Sequence, residues 1–63
     1  MYQVTLEAAR RNKKYTQKTA GELIGVSAST IKNWEKGRTQ PTQSKIEKIC
    51  EVYGLSYDAI FFG

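Results

Sequence analysis

Residues 17–36 read QKTAGELIGVSASTIKNWEK, and this run decides the fold. Its apolar residues recur at helical spacing on both sides of Gly25, so it divides into two short amphipathic helices joined by a turn. Thr16 is an N-cap for the first of them, with Tyr15 and Ala20 spaced as a loose hydrophobic staple. Gly25 suits the left-handed residue that ends such a helix. Ser27 caps the second, with Val26 and Ile31 at staple spacing, and Gly37 stands where it should stop. Gly21 breaks the pattern, because glycine inside a helix costs about 1 kcal/mol relative to alanine. Its presence fits another helix crossing close to its backbone, as a tight helix-turn-helix requires.

The same punctuation continues outward. A helix is expected from about Thr5 to Asn12, with Leu6 and Ala9 inward and Arg10 at the flank, and Tyr2 to Val4 alternates weakly enough to be extended. Pro41 and Thr42 announce a further helix, in which Ile46, Ile49, Cys50 and Tyr53 fall at i, i+3, i+4 and i+7. Gly54 stops it. Ser56 is expected to cap a fifth helix, with Leu55 and Ile60 as its staple. The glycine stops and the Ser or Thr caps agree on one all-α, compact five-helix domain spanning residues 1–63, with the helix-turn-helix unit at 17–36.

Winding the second helix of the unit at about 100° per residue separates two faces. Ser27, Ile31 and Trp34 fall on one side, with Thr30 and Glu35 at its flanks. Ser29, Lys32, Asn33 and Lys36 fall on the other, with Ala28 at the rim. Asn33 can hydrogen-bond N6 and N7 of adenine, and Lys32 can donate to O6 and N7 of guanine. Ser29 and Thr30 can donate or accept, and Ala28 suits a thymine methyl. Such a face fits the edges of bases in a major groove about 12 Å wide. An isolated helix with this face would be read simply as solvated; the charge around it points the other way.

The chain has 10 Lys and Arg against 6 Asp and Glu, a net charge of +4. Residues 10–38 hold eight of the cations against Glu22 and Glu35, a local net of +6, while the segments on either side carry −1 each. The excess therefore lies on the two-helix unit, where a phosphate-facing surface would need it. Gln17 opens the first helix, where unpaired backbone N–H groups favour an anion, and its amide can bind the same phosphate. Lys36, Arg38, Thr39 and Gln40 leave the second helix in a loop able to grip the backbone. Arg11, Lys13 and Lys14 fit long-range attraction as well as direct contact.

Composition narrows the alternatives. At 63 residues the chain is one small domain, with one cysteine and no histidine. Cys50 cannot form an internal disulfide and has no partners for a metal site, and its place in the inward row of its helix makes it a packing thiol. No cofactor or metal is expected. Without histidine the common general base is missing, which argues against an enzyme. No apolar run approaches a membrane span, so a cytoplasmic location is expected.

Taken together, Gln17, Gly21, Gly25-Val26-Ser27, Ile31, Trp34-Glu35-Lys36-Gly37-Arg38, Pro41 and Gly54-Leu55-Ser56-Tyr57-Asp58 resemble the Xre family of bacterial and phage regulators. The helix-turn-helix domains of that family are like those of the lambdoid repressors and Cro proteins. The resemblance runs from about Leu6 to Phe61 and implies a lambda-repressor-like domain that binds a pseudo-palindromic operator in double-stranded DNA as a homodimer, controlling transcription, as a repressor. It assigns base reading to Ala28, Ser29 and Asn33, with Thr30 and Lys32 adjacent. Phosphate contacts fall to Gln17, with Lys18 beside it, to Lys36 and to the loop Arg38, Thr39 and Gln40. It also implies an ion pair between Arg10 and Glu35 that fixes the reading helix. Two departures stand out: many members carry Glu where this chain has Thr19, and alanine is commoner at position 21.

Longer members add a C-terminal domain for dimerisation or sensing, so this chain is expected to be either a small regulator or an excised domain. Phe61 and Phe62 must point in different directions, so one of them, with Tyr57, is expected to form a dimer contact. The same aromatics admit an alternative from another class, a protein-interaction module such as an antitoxin-like or antirepressor-bound subunit, with a protein antagonist as partner.

Overall fold

In a computed structural model, residues 3–61 are described. The order along the chain is strand β1 (Val4–Thr5), helix α1 (Leu6–Asn12), α2 (Gln17–Ile24), α3 (Ala28–Glu35), α4 (Gln43–Tyr53), a 3-10 turn (Tyr57–Ala59) and strand β2 (Ile60–Phe61). Each early helix starts where a hydroxyl can replace a missing intrahelical partner. Thr5, Thr16 and Ser27 accept from the amides of Ala8, Thr19 and Thr30. Thr19, which stands in place of an acidic capping residue, receives the Thr16 hydroxyl proton on its own oxygen at 3.1 Å. Thr42 and Ser56 occupy cap positions without making a side-chain capping bond.

Among the described residues, nine make the core: Leu6, Ala9, Ala20, Ile24, Ile31, Trp34, Ile49, Tyr53 and Ile60. All four helices and β2 thus supply part of one apolar centre, with α2 packed on both α3 and α4. Cys50 is half-buried against this core, and desolvation raises its thiol pKa. That places it as a packing residue rather than an activated thiolate.

The fifth helix is not formed. A single 3-10 turn covers Tyr57–Ala59, and the chain then extends, pairing Val4 with Ile60 and Thr5 with Phe61 in a two-stranded parallel ribbon. The reason is local only in part, and the pairing with Val4 and Thr5 completes it. The Ser56 cap signal is real, but a lone turn of helix is marginal in water, and β-branched Ile60 followed by Phe61 favours an extended backbone. Alternation along the strand then buries Ile60 and leaves Phe61 55% exposed. The described residues therefore form four α-helices, and the helical character of the domain otherwise holds. Tyr2 and Phe62 lie outside the described residues.

α1 ends in a way the sequence does not announce. The Tyr15 amide donates to Arg10 O and the Lys14 amide to Arg11 O, with Lys14 in the left-handed region at φ 62°. This is the arrangement that usually places glycine at the second of these positions. An L-residue in that conformation costs about 1–2 kcal/mol. Lys14→Gly is expected to stabilise the domain by about 0.5–1 kcal/mol once the extra freedom of the unfolded chain is counted. Thermal unfolding would register that as a rise of roughly 2–8 °C.

Tyr53 is 3% exposed near the C-terminus of α4, and burial pushes its phenol up from the ordinary 10 to about 12, with Glu35 adding to the rise and Arg10 opposing it. The folded chain thus favours the neutral phenol. Its contribution to stability is complete below pH 10 and is lost as pH rises through about 12. The loss should reach about 2–3 kcal/mol by denaturant titration, and Tyr53→Phe should flatten it.

Candidate nucleic acid interface

α2 and α3 are held at a fixed angle by backbone contact. The amides of Gly25 and Val26 both donate to Gly21 O, and Gly25 takes a φ of 94°. A Cβ on Gly21 would stand 2.5 Å from Val26 O and 3.2 Å from the Ser27 carbonyl carbon. The close neighbour expected at Gly21 is therefore the turn itself rather than a crossing helix. Ile31 and Trp34 anchor α3 inward, 1% and 8% exposed. At its far end the Gly37 and Arg38 amides bond Trp34 O and Asn33 O, with Gly37 at φ 74°. This directs Arg38, Thr39 and Gln40 away along the surface, all three exposed.

The outward face of α3 presents Ser29, Lys32 and Lys36 exposed, with Ala28 and Asn33 half-buried beside them. Among the described residues, no hydrogen bond or ion pair engages the side chains of Ser29, Lys32 or Asn33. Thr30 differs. Its hydroxyl lies 3.0 Å from the Ser27 hydroxyl, and its amide donates to the same oxygen, so Thr30 completes the helix cap and sits half-buried at the flank.

Behind that face lies a buried ion pair. Arg10 Nε donates to Glu35 Oε2 at 2.7 Å and Nη2 to Oε1 at 3.2 Å, a bidentate arrangement, and Nη1 donates to Tyr15 O at 2.9 Å. The two side chains are only 9% and 5% exposed. The hydrogen bonds to Glu35 hold the Arg10 guanidinium pKa above its ordinary value against the opposing effect of burial. No buried side-chain nitrogen or oxygen among the described residues is left without a partner. The pair implied by the sequence resemblance thus ties α1 to the end of α3. One further partner was not foreseen: Gln17 Nε2 donates to Glu35 Oε1 at 3.2 Å.

The remaining cations sort by position. Arg11 is 2.7 Å from Glu7 along α1. Lys13 Nζ lies 3.1 Å from where a Gly54 Cβ would be, and Lys45 Nζ lies 3.7 Å from the equivalent point on Gly25. Each of these lysines therefore stands at the carbonyl end of a helix, where a cation is favoured. That gives Lys13 and Lys45 a structural use. Lys18, Lys32, Lys36 and Arg38 are exposed and form no ion pair among the described residues. Lys48 is 3.5 Å from Glu51. Lys13 and Lys14 are likewise exposed without an ion pair among the described residues, so the unpaired positive charge lies at the end of α1, the start of α2, the outward face of α3 and the loop after it. No group of described His, Cys, Asp or Glu side chains could hold a metal ion.

Two helices locked through a glycine-bearing turn, with the second held inward by Ile31 and Trp34, define a helix-turn-helix domain. Residues 6–60 match the helix-turn-helix family model, and the chain belongs to that family, as a domain of the Xre and Cro/C1 type. It is 34% identical over 56 residues to the HTH-type transcriptional regulator PuuR of Escherichia coli K12, a match covering 89% of this chain and 30% of that protein. With the HTH-type transcriptional regulator DicA of the same organism it shares 30% identity over 54 residues, covering 86% of this chain and 40% of that one. The chain thus spans well under half the length of these curated relatives. Among solved structures, the P22 c2 repressor in complex with a synthetic operator superposes with a TM-score of 0.81 at 28% identity, covering 84% of this chain and 80% of that one.

Proposed function

We propose that this chain is a sequence-specific DNA-binding regulator, a repressor of bacterial or phage origin that acts in the cytoplasm. In this reading α3 lies in the major groove of double-stranded DNA. Ala28, Ser29, Lys32 and Asn33 meet base edges, with Thr30 at the helix start. Gln17, Lys18, Lys36, Arg38, Thr39 and Gln40 meet phosphates on either side. The observation that carries it is the outward face of α3, where Ser29, Lys32 and Asn33 have no side-chain partner among the described residues while the opposite face is anchored in the core. The likeness to a repressor solved on its operator supports the same docking. No described helix is long and apolar enough to cross a membrane.

The length of α3 bears on assembly. Eight residues rise about 12 Å, and one base pair occupies about 3.4 Å, so a single copy spans only three or four base pairs. Such a footprint specifies little by itself. We therefore read the active form as a homodimer on a pseudo-palindromic site, the two copies meeting through the exposed end that carries Tyr57 and Phe61. Phe62, also assigned there from sequence, lies outside the described residues. Selection from a randomised duplex pool tests this directly. Two inverted half-sites support the dimer, and a single asymmetric site opposes it.

The half-buried Asn33 supplies a sharper test of base reading. Asn33→Ala should cost about 1–3 kcal/mol on the selected duplex and relax preference at one base pair, while leaving binding to mixed-sequence DNA nearly unchanged. Equal losses on both duplexes would remove Asn33 from the base-reading set. A protein-interaction module is the competing reading, motivated by the exposure of Tyr57 and Phe61 at 57% and 55%. It would be favoured by a chain that ignores DNA at low salt yet binds one protein antagonist.

A further inference from the structure

An acidic side chain beside a surface that is to meet phosphates should weaken binding, yet Glu35 stands there. Its carboxylate is 5% exposed and takes two hydrogen bonds from Arg10, so its charge is neutralised inside the fold. The same Oε1 that accepts from Arg10 Nη2 also accepts from Gln17 Nε2 at 3.2 Å. Gln17 is the first residue of α2, and Glu35 is the last of α3. One carboxylate thus links the starting end of one helix to the finishing end of the other.

We propose that Glu35 is a positioning residue for DNA binding, holding the Gln17 amide so that its second N–H is presented to a phosphate. The inference rests on the reading of α2 and α3 as a DNA interface and deepens it. A glutamine side chain free to rotate must be immobilised when it binds, at a cost that reduces affinity. A side chain already held by a buried acceptor has lost that freedom on folding. Arg10 serves by cancelling the charge of Glu35, so that the acceptor remains and the repulsion does not.

The test replaces the pair without leaving a buried charge. Arg10→Met with Glu35→Met removes both ions and leaves the net charge unchanged, so long-range attraction to DNA is preserved. Gln17→Ala is then introduced into the native chain and into this background, and affinity for a short mixed-sequence duplex is measured at low salt. In the native chain Gln17→Ala should weaken binding about tenfold, as expected for a hydrogen bond to a charged group. The Met pair should lose about as much by itself, and Gln17→Ala should then add little. Arg10→Met with Glu35→Gln, which restores a neutral oxygen to receive the Gln17 amide, should recover most of the loss.

Equal factors for Gln17→Ala in both backgrounds would overturn the proposal while leaving DNA binding intact. Absence of binding by the native chain would remove both readings. Should the paired variants fail to fold, the side-chain amide of Gln17 in the native chain decides by nitrogen-15 relaxation. An amide ordered like the backbone supports the proposal; one as mobile as that of exposed Gln43 overturns it.

Discussion

Glu35→Ala is expected to destabilise the domain by about 3–5 kcal/mol, because it leaves the buried Arg10 guanidinium without its counter-ion. The pair is 2.7 Å apart and nearly closed to solvent, so water cannot replace the lost carboxylate without opening the contact between α1 and α3. A domain of 63 residues has a total stability of roughly 3–9 kcal/mol, so this change alone removes much of it. Chemical denaturation would show a transition moved far toward low denaturant, or an unfolded chain at room temperature. Removing both partners in favour of methionine should cost far less than removing one, since the charge and its partner leave together. A loss below about 1 kcal/mol for Glu35→Ala, the range of exposed pairs, would contradict the burial of this one.

Gly21→Val should rank with it, at about 3 kcal/mol or more. The first added carbon would stand 2.5 Å from Val26 O, and the obstacle is backbone rather than a side chain that could swing aside. Two amides already converge on Gly21 O, so the turn cannot retreat without breaking those bonds. Gly21→Ala should cost less, since alanine recovers about 1 kcal/mol of helix propensity. Relief of the clash would push α3 away from α2, so DNA affinity should fall even where the variant remains folded. Thermal unfolding of the graded series measures the first effect, and titration with duplex DNA the second. Equal melting temperatures for glycine and valine would refute the close packing of turn on helix.

These two positions also show what the sequence could and could not disclose. Gly21 is legible as an oddity, because glycine costs stability inside a helix unless something needs the space. What needs it, the Val26–Ser27 backbone, is a matter of three-dimensional turn geometry. The caps at Thr16 and Ser27 are local interactions over three residues, and their chemistry appears in the sequence directly. Ser56 carries the same signal and misleads. The outcome there was settled by pairing with Val4 and Thr5, more than fifty residues away, which no local pattern encodes.

The outward face of α3 follows from helical periodicity, which is why Ser29, Lys32 and Lys36 emerge exposed as the projection requires. Thr30 shows its limit. Two nearby hydroxyls can bond each other, and Thr30 spends its own on Ser27. Charge was legible in bulk but not in use. Arg10 and Arg11 pair with Glu35 and Glu7, and the Lys13 and Lys45 ammonium groups lie beside the glycines that end α4 and α2, so not every cation in the tally faces outward for phosphates. The bond from Gln17 to Glu35 spans 18 residues and leaves no trace in spacing.

In the proposed reading, DNA meets the start of α2, the outward face of α3 and the loop that follows. Titrating nitrogen-15-labelled chain with a selected duplex and following amide shifts tests it most directly. The largest changes are expected at Gln17, Lys18, Ala28, Ser29, Lys32, Asn33, Lys36 and Arg38 to Gln40, with α4 nearly silent. Changes centred instead on Tyr57 and Phe61 alone, or none at any duplex concentration at low salt, would contradict it.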